Sequence, residues 1–310
     1  FYFRPKVKYF MKLQLVFIIL CLLVLLAQNS ITTQSAFPDN TAVKKVTVGD
    51  IDVGYKMLGS GEPLVLIPGF SMTMDMWDPV MIEKLSTNRT VILFDNRGMG
   101  STVATHEDNK NYSIEQLAND TAALVDGLKI GKPVDVLGLS MGGFIAQELA
   151  LLHPQKVNKL IIFASSCGGN DAIPPQVSPK VMSGMLNGNA TQEEFLSTLF
   201  PEKWIQDNMD YIKSNIVSPA GKVSREILHD QANANLKWQG TCDRLSNLKT
   251  PTLVLTGTND ITSPPANSLA IAQRIPGAWL VQISGGGHGV MFQYPETVSN
   301  IINLFLSNAK

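Results

Sequence analysis

The chain has 310 residues, enough for one large α/β domain with an insertion or for two ordinary domains. Its composition, 45% hydrophobic and 16% charged, is that of a globular protein and excludes a largely disordered chain. The formal net charge is −1, and no cluster of lysine and arginine interleaved with aromatic residues is present, so the sequence disfavours a nucleic-acid partner.

The first 36 residues differ from the rest of the chain. Basic residues come first, an uncharged apolar run follows at residues 13–27, and small and polar residues come next. This order is typical of a secretory signal peptide. The run is shorter than the about 20 residues that span a bilayer, which favours a cleaved signal; no clear cleavage site follows, so a retained N-terminal anchor stays open. We therefore expect an exported protein, secreted or extracytoplasmic, with this segment as its only membrane contact.

From about residue 44 the sequence predicts a regular α/β pattern. Alternating side chains at 45–48 and 51–55 predict an antiparallel pair of strands. The later strands are short apolar runs without alternation, as expected where both faces of a parallel sheet are buried. They lie at residues 63–67, 91–94, 134–137, 160–163, 252–255 and 279–283. Helical patterns lie between them, beginning at Ser113, Met141, Pro265 and Pro295. This alternation predicts an α/β fold with a mostly parallel, doubly wound sheet.

One long segment interrupts the alternation. Residues 170–246 contain several helical patterns and no convincing strand. We therefore predict a helical cap, 170–246, inserted into an α/β core formed by 37–169 and 247–310, with the signal peptide or anchor at 1–36.

The chain has three cysteines. Cys21 lies inside the apolar run of the N-terminal segment, which leaves Cys167 and Cys242 as the only pair in the rest of the chain. They are compatible with one disulfide in an oxidising compartment and equally with two separate buried thiols.

The stretch Gly138-Leu139-Ser140-Met141-Gly142 lies between a predicted strand and a predicted helix. A G-x-S-x-G sequence in this context is typical of a nucleophile elbow, in which the chain turns sharply and small neighbours avoid collisions. The turn raises the Ser140 hydroxyl above the sheet edge, at the N-terminus of the helix. Ser140 is therefore the predicted nucleophile.

A serine nucleophile needs a base and an orienting acid. Of the four histidines, His288 lies in a glycine-rich loop directly after the last predicted strand. Asp260 follows the strand before it, and the order serine, aspartate, histidine is the one expected for this architecture. Asp171 is a competing candidate for the acid, farther from the end of its strand. Ser140, His288 and Asp260 form the predicted catalytic triad.

The predicted oxyanion hole consists of two backbone N–H groups, those of Met141 and Phe70. Met72 and Met99 lie in neighbouring loops and are candidate lining residues of an acyl pocket, although methionines in such positions also serve as core filling. No histidine and carboxylate cluster has metal-ligand spacing, so we expect neither a metal nor an organic cofactor.

Five ordered motifs together resemble the α/β-hydrolase superfamily. They lie at residues 67–70, 94–101, 138–143, 257–260 and 287–288. Within the superfamily, the stretch from residue 76 through residue 117 to the elbow is most similar to the branch of enol-lactonases, small carboxylesterases and cofactor-free haloperoxidases. The resemblance implies the α/β-hydrolase fold. One departure is Pro68-Gly69, where many relatives have His-Gly. Ser140 excludes the haloalkane dehalogenases and epoxide hydrolases of this fold, which use a carboxylate at the elbow.

These features predict a serine hydrolase that cleaves carboxylic esters through an acyl-enzyme. A lactonase acting on acyl-homoserine lactones or enol-lactones, or an amide or peptide hydrolase, would use the same triad and stays open. A non-catalytic ligand receptor is a further alternative, against which the intact triad counts. The expected partner is a small-molecule ester or lactone.

Overall fold

The computed structural model describes residues 42–104, 113–216 and 223–309, so the predicted signal peptide or anchor at 1–36 lies outside the described residues. Nine strands of the described chain form one sheet. In chain order they are β1 (Lys44–Val48), β2 (Ile51–Leu58), β3 (Glu62–Ile67), β4 (Arg89–Phe94), β5 (Val103–Ala104), β6 (Val134–Leu139), β7 (Val157–Phe163), β8 (Thr252–Gly257) and β9 (Trp279–Ile283).

The strand order is β1-β2-β4-β3-β6-β7-β8-β9, with the short β5 paired to β2. β1 and β2 form the predicted antiparallel hairpin, and β2 pairs antiparallel to β4. From β4 through β3 to β9 every pairing is parallel. The predicted α/β fold with a mostly parallel sheet is confirmed, and β5 is a strand that the sequence pattern did not indicate.

Eleven α-helices lie in the described ranges. They are α1 (Pro79–Ser86), α2 (Ile114–Gly127), α3 (Met141–Leu152), α4 (Pro179–Leu186), α5 (Gln192–Leu199), α6 (Glu202–Asp207), α7 (Met209–Asn215), α8 (Arg225–Lys237), α9 (Pro265–Arg274), α10 (Val290–Gln293) and α11 (Pro295–Asn308). No helix among the described residues combines the length and the apolar character that a membrane span requires.

The core is built on both faces of the sheet because its central strands are apolar at every position. All six residues of β6 are buried. In β3, Val65 and Ile67 belong to one apolar cluster that includes residues of α2 and α3. Leu64 and Leu66 are equally buried and alternate with them, so they face the opposite side of the sheet. The continuous apolar runs of the sequence therefore reflect a sheet covered on both sides.

Helices α4 to α8 occupy the chain between β7 and β8, which are neighbouring parallel strands. We call residues 168–241 the helical segment. The helical pattern that the sequence shows over 204–216 forms two helices, α6 and α7, because the backbone leaves helical geometry at Asn208. The hydroxyl of Tyr211, on α7, donates to a carboxylate oxygen of Asp78 at 2.5 Å. This bond ties the helical segment to the N-terminus of α1, which Asp78 caps.

A disulfide joins Cys167 and Cys242, whose Cα atoms are 5.0 Å apart. Cys167 follows β7 and Cys242 precedes β8, so the bond closes the helical segment at its base. The alternative of two separate thiols therefore does not describe this structure.

Replacing both cysteines by alanine is expected to lower the free energy of unfolding by about 2–4 kcal/mol, because the unfolded chain gains the conformations of an open loop. Chemical denaturation without reductant measures the change. Reductant added to the native protein should give a similar loss and should not affect the double variant. An unfolding midpoint of the native protein that is insensitive to reductant would contradict the expectation.

Candidate active site

Ser140 lies in the turn between β6 and α3, with φ +55° and ψ −119°. This region of backbone space is strained for a residue with a Cβ atom. Three hydrogen bonds hold the strained residue. Its N–H donates to the Phe163 carbonyl at 2.8 Å, and its own carbonyl accepts from Gly143 N–H and from the Ser165 hydroxyl, both at 2.8 Å. The turn is therefore fixed by β7 on one side and by α3 on the other.

The two glycines that flank Ser140 are required by close packing of backbone atoms. A Cβ atom on Gly138 would lie 2.1 Å from the Gly142 carbonyl oxygen. A Cβ atom on Gly142 would lie 2.1 Å from the carbonyl oxygen of Ile67, at the end of β3. The G-x-S-x-G spacing thus lets α3 begin directly against the sheet.

His288 and Asp260 are hydrogen bonded to each other. Nδ1 of His288 is 2.8 Å from Oδ2 of Asp260, and both side chains are buried. The other carboxylate oxygen accepts from the backbone N–H groups of Thr262 and Ser263, at 2.9 and 2.7 Å. Three partners therefore fix the carboxylate, and the carboxylate in turn fixes the imidazole ring.

The competing acid, Asp171, lies elsewhere. Its carboxylate forms an exposed ion pair with Arg274 at 2.7 Å. The loop after β8, and not the loop after β7, therefore supplies the carboxylate that contacts His288.

Ser140 and His288 line one small cavity of about 130 Å³. Phe70 and Met72 line it as well, together with side chains from the helical segment and from α10. Most of the lining is apolar, and it includes Met76, Met185, Phe195, Ile216, Met291 and Phe292. The structure thus brings the predicted nucleophile, the predicted base and one predicted oxyanion-hole residue to the same apolar space.

Met99, the other candidate pocket residue, does not line this cavity. It is fully buried in the turn after β4, where its N–H donates to the Asn96 carbonyl at 2.9 Å. The Met141 side chain is also buried in the core beneath α3. The positions of Met72 and Met99 in the sequence do not show which of them lines the cavity, because the direction of a side chain in a loop depends on the turn that carries it.

Residues 69–72, which we call the oxyanion turn, follow β3 and lie against the elbow. A Cβ atom on Gly69 would be 3.2 Å from the Leu139 carbonyl oxygen and 3.3 Å from Cβ of Ser140. Within the described ranges, neither Phe70 N–H nor Met141 N–H donates a hydrogen bond to the protein. Met141 is the first residue of α3, so its N–H is free by helix geometry. Two unpaired donors therefore belong to segments that meet at Ser140.

A second, wider groove of about 790 Å³ adjoins the first cavity. The two share Thr198, Leu199 and His288 as lining residues. Its walls combine apolar side chains, among them Phe200, Ile205 and Ile261, with the polar side chains of Glu193, Glu202 and Asn259. His288 therefore lies at the boundary between the small cavity and the wider groove.

Two contacts near the cavity escaped sequence reasoning. The buried side chain of Gln231, on α8, accepts a hydrogen bond from Ser71 N–H at 2.9 Å. The Tyr211 hydroxyl bonds to Asp78, and burial raises the pKa of that carboxyl. Both contacts join the helical segment to residues more than a hundred positions away, and no local sequence signal indicates such a pairing.

The turn after β4, at Asp95 to Ser101, is held by hydrogen bonds and ion pairs. The Asp95 carboxylate accepts from Met74 N–H and Ser101 N–H, both at 2.7 Å, and burial raises the pKa of this carboxyl. Arg97 pairs with carboxylates of Asp50 and Asp120. These bonds connect the turn with the β1–β2 turn, with α2 and with the segment that carries Met74.

In the part of the chain that the structure describes, no three histidine, cysteine, aspartate or glutamate side chains are grouped so that they would hold a metal ion. The expectation that the chain uses neither a metal nor a cofactor stays a prediction.

Comparison with known proteins identifies the family. A sequence profile of the family described as alpha/beta hydrolase fold matches residues 62–295. This chain belongs to that family. The matched range of the α/β hydrolase contains the elbow, both loops that carry Asp260 and His288, and the helical segment.

Individual relatives agree with this assignment. The α/β hydrolase is 28% identical to a candidate non-heme bromoperoxidase, BpoC, of Mycobacterium tuberculosis, over 84% of this chain and 99% of that protein. A thermophilic esterase from Thermogutta terrifontis is 26% identical, with a TM-score of 0.71 over 86% of this chain and 98% of the esterase. The enol-lactonase from Burkholderia xenovorans has a TM-score of 0.72 over 86% of this chain and 100% of that one; at 22% identity it supports the fold alone. The expected membership of the α/β-hydrolase superfamily is confirmed.

Proposed function

We propose that this α/β hydrolase is a serine hydrolase that cleaves carboxylic esters of small molecules through an acyl-enzyme. One observation carries the proposal: His288 is bonded to Asp260 at 2.8 Å and lines the same cavity as Ser140. A hydroxyl on a strained elbow, an imidazole and a buried carboxylate are the parts that activate a serine nucleophile.

In the proposed reaction, the Ser140 hydroxyl oxygen attacks the carbonyl carbon of the ester while its proton passes to Nε2 of His288. Nδ1–H of His288 donates to Asp260, which stabilises the imidazolium that forms. The negative oxygen of the tetrahedral intermediate accepts from the N–H groups of Met141 and Phe70. The intermediate expels the alcohol, which takes the proton from His288, and leaves an acyl group on Ser140.

Water then hydrolyses the acyl-enzyme by the same sequence of steps. His288 removes a proton from the water as it attacks the acyl carbon, and then returns the proton to Ser140 as the acid leaves. The imidazole lines the wider groove as well as the small apolar cavity. We assign the small cavity to the acyl group and the wider groove, whose walls also carry Glu193, Glu202 and Asn259, to the alcohol and the incoming water.

Labelling with a fluorophosphonate tests the nucleophile, and a substrate panel tests the reaction class. We expect the probe to modify Ser140, mapped by peptide mass spectrometry, and we expect turnover of simple esters to exceed that of lactones and amino-acid amides. If lactones or amides were turned over faster than esters, the proposed triad would stand and the proposed substrate class would be wrong. An unlabelled Ser140 together with no turnover on the panel would overturn the proposal and favour a receptor.

The cavity size predicts a preference for short acyl chains. Its volume of about 130 Å³ is well below the about 300–1,000 Å³ of sites for larger ligands. In a series of p-nitrophenyl esters, kcat/KM is expected to be highest from acetyl to butyryl and to fall by about tenfold or more at octanoyl. Met185→Ala, which enlarges the cavity, should move the optimum to longer chains, whereas Met209→Ala, on an exposed methionine, should not. A flat profile in the native enzyme would contradict this assignment.

We also propose that the helical segment is the cap that shapes the substrate site and that the protein is exported. The first proposal is supported by Met185, Phe195 and Ile216, which line the cavity. The second is supported by the order of residues 1–36 and by the disulfide, a bond that persists in oxidising compartments. Cell fractionation with N-terminal sequencing of the mature protein tests export and distinguishes a cleaved signal from a retained anchor.

A further inference from the structure

The oxyanion turn contains a second strained residue. Met72 N–H donates to the Gly69 carbonyl at 3.3 Å, which makes Ser71 the third residue of a four-residue turn. Ser71 has a φ of +58° and is buried. Turns with positive φ at this position usually have glycine there, because a Cβ atom is unfavourable in that region. Some other contact must therefore hold Ser71 in this conformation.

Gln231 on α8 supplies a contact of that kind. Its side chain is fully buried, and its Oε1 accepts from Ser71 N–H at 2.9 Å. Because Ser71 N–H is a hydrogen-bond donor, the amide atom that faces it must be the oxygen. The other amide atom, Nε2, is buried and has no hydrogen-bond partner among the described residues. Burying an unpaired amide NH₂ is costly, so an apolar side chain of similar length would suit packing better.

The bond to Gln231 bears on the oxyanion hole through the geometry of the turn. In a four-residue turn, the sign of φ at the third residue is coupled to the orientation of the central peptide, here the one between Phe70 and Ser71. Rotating this peptide by about half a turn gives Ser71 the negative φ that it prefers. The rotation turns the Phe70 carbonyl toward the space that Ser71 N–H occupies. Phe70 N–H belongs to the preceding peptide, between Gly69 and Phe70, and its position depends on where the whole turn sits against the elbow. The bond at Ser71, one residue away, anchors that position.

We propose that Gln231 is a positioning residue for the oxyanion hole. By accepting from Ser71 N–H it holds the oxyanion turn in one conformation and in place against the elbow, which keeps Phe70 N–H directed at the reacting carbonyl. Gln231 lies 160 residues beyond Ser71 in the chain, so this bond also links the helical segment to the catalytic core. This inference rests on the proposed ester hydrolysis but is tested separately from it.

Two substitutions separate the acceptor from the rest of the side chain. Gln231→Met keeps the length and removes the oxygen, whereas Gln231→Glu keeps an acceptor oxygen and changes the unpaired NH₂. For a short-chain ester we expect Gln231→Met to lower kcat by about 10- to 100-fold with KM within about twofold of the native value, since an oxyanion donor acts in the transition state. Gln231→Glu should retain most of kcat.

Asn235, one turn further along α8, offers a matched control. It is half-buried, and its Oδ1 has no partner among the described residues. Asn235→Leu also replaces a packed amide on α8 but removes no bond to the oxyanion turn, so its kcat should stay within about twofold of the native value. The midpoint of thermal unfolding of the variants should change little. Gln231→Met removes the unpaired Nε2 donor and leaves Ser71 N–H without an acceptor, so the number of unpaired donors stays the same.

A second background keeps the test independent of folding defects at position 231. In Ser71→Gly the turn tolerates positive φ without strain, so adding Gln231→Met there should lower kcat by much less than in the native background. Amide hydrogen exchange at Ser71 should be faster in Gln231→Met, whatever the substrate. A native kcat in Gln231→Met, or equal losses in Gln231→Met and Gln231→Glu, would overturn the inference and leave ester hydrolysis intact. A native protein with an unlabelled Ser140 and no ester turnover would instead overturn the proposed function.

Discussion

Replacing Ser140 by alanine is expected to lower kcat for ester hydrolysis by about 10⁴-fold or more, because the residual rate comes from binding and oxyanion stabilisation alone. Alanine and serine both carry a Cβ atom, so the φ of +55° is equally strained in both, and the change removes the hydroxyl with little effect on the turn. Steady-state hydrolysis of p-nitrophenyl acetate measures the loss, and thermal unfolding checks the fold.

Ser165→Ala is the matched control for this substitution. The Ser165 hydroxyl donates to the Ser140 carbonyl at 2.8 Å, so it supports the elbow without being placed to attack a substrate. We expect its kcat to fall by no more than about tenfold. If Ser140→Ala kept more than about a hundredth of the native kcat and still reacted with the fluorophosphonate at another residue, a different group would be the nucleophile.

Asp260→Asn is expected to lower kcat by about 10³- to 10⁴-fold through the tautomer of His288. Oδ1 of Asp260 accepts from Thr262 N–H and Ser263 N–H, so an asparagine would keep its oxygen there. Its NH₂ group would then face Nδ1 of His288 as a donor. Nδ1 would have to be the acceptor, which places the ring proton on Nε2, and Nε2 could no longer take the proton of Ser140.

The control for this change is Asp171→Asn, which neutralises the other aspartate that the sequence offers as the acid. Asp171 pairs with Arg274 at an exposed position, so kcat should remain close to the native value. A larger loss in Asp171→Asn than in Asp260→Asn would show that the acid is misassigned.

The fold could be predicted because its signals are local. A strand such as β6 is apolar at every position, and the glycines around Ser140 follow from contacts within a few residues or with the adjacent β3. Loops at the ends of parallel strands meet at one edge of the sheet, so strand order alone placed Asp260 and His288 near each other. Those parts of the site depend on topology and little on side-chain detail.

The walls of the cavity could not be predicted in the same way. Gln231 contacts Ser71 across 160 residues, and Tyr211 contacts Asp78 across 133. Neither pair is marked by spacing or composition, because the packing of the helical segment on the core brings them together. Met99 shows the same limit at short range, since its loop neighbours the site while its side chain is buried away from the cavity.

The way in which the helical segment joins the core determines which part of the chain could be exchanged with that of a relative. The segment leaves the core after β7 and returns at β8, which are adjacent strands, and a disulfide joins its two ends. Ser140, Asp260 and His288 all lie outside it. If the segment is the cap proposed above, exchanging residues 168–241 as a block for the corresponding block of a relative is expected to change substrate preference and to leave the proposed triad in place. The graft would need to keep an acceptor for Ser71 N–H and a donor for Asp78, so the side chains that replace Gln231 and Tyr211 decide whether the two halves are compatible.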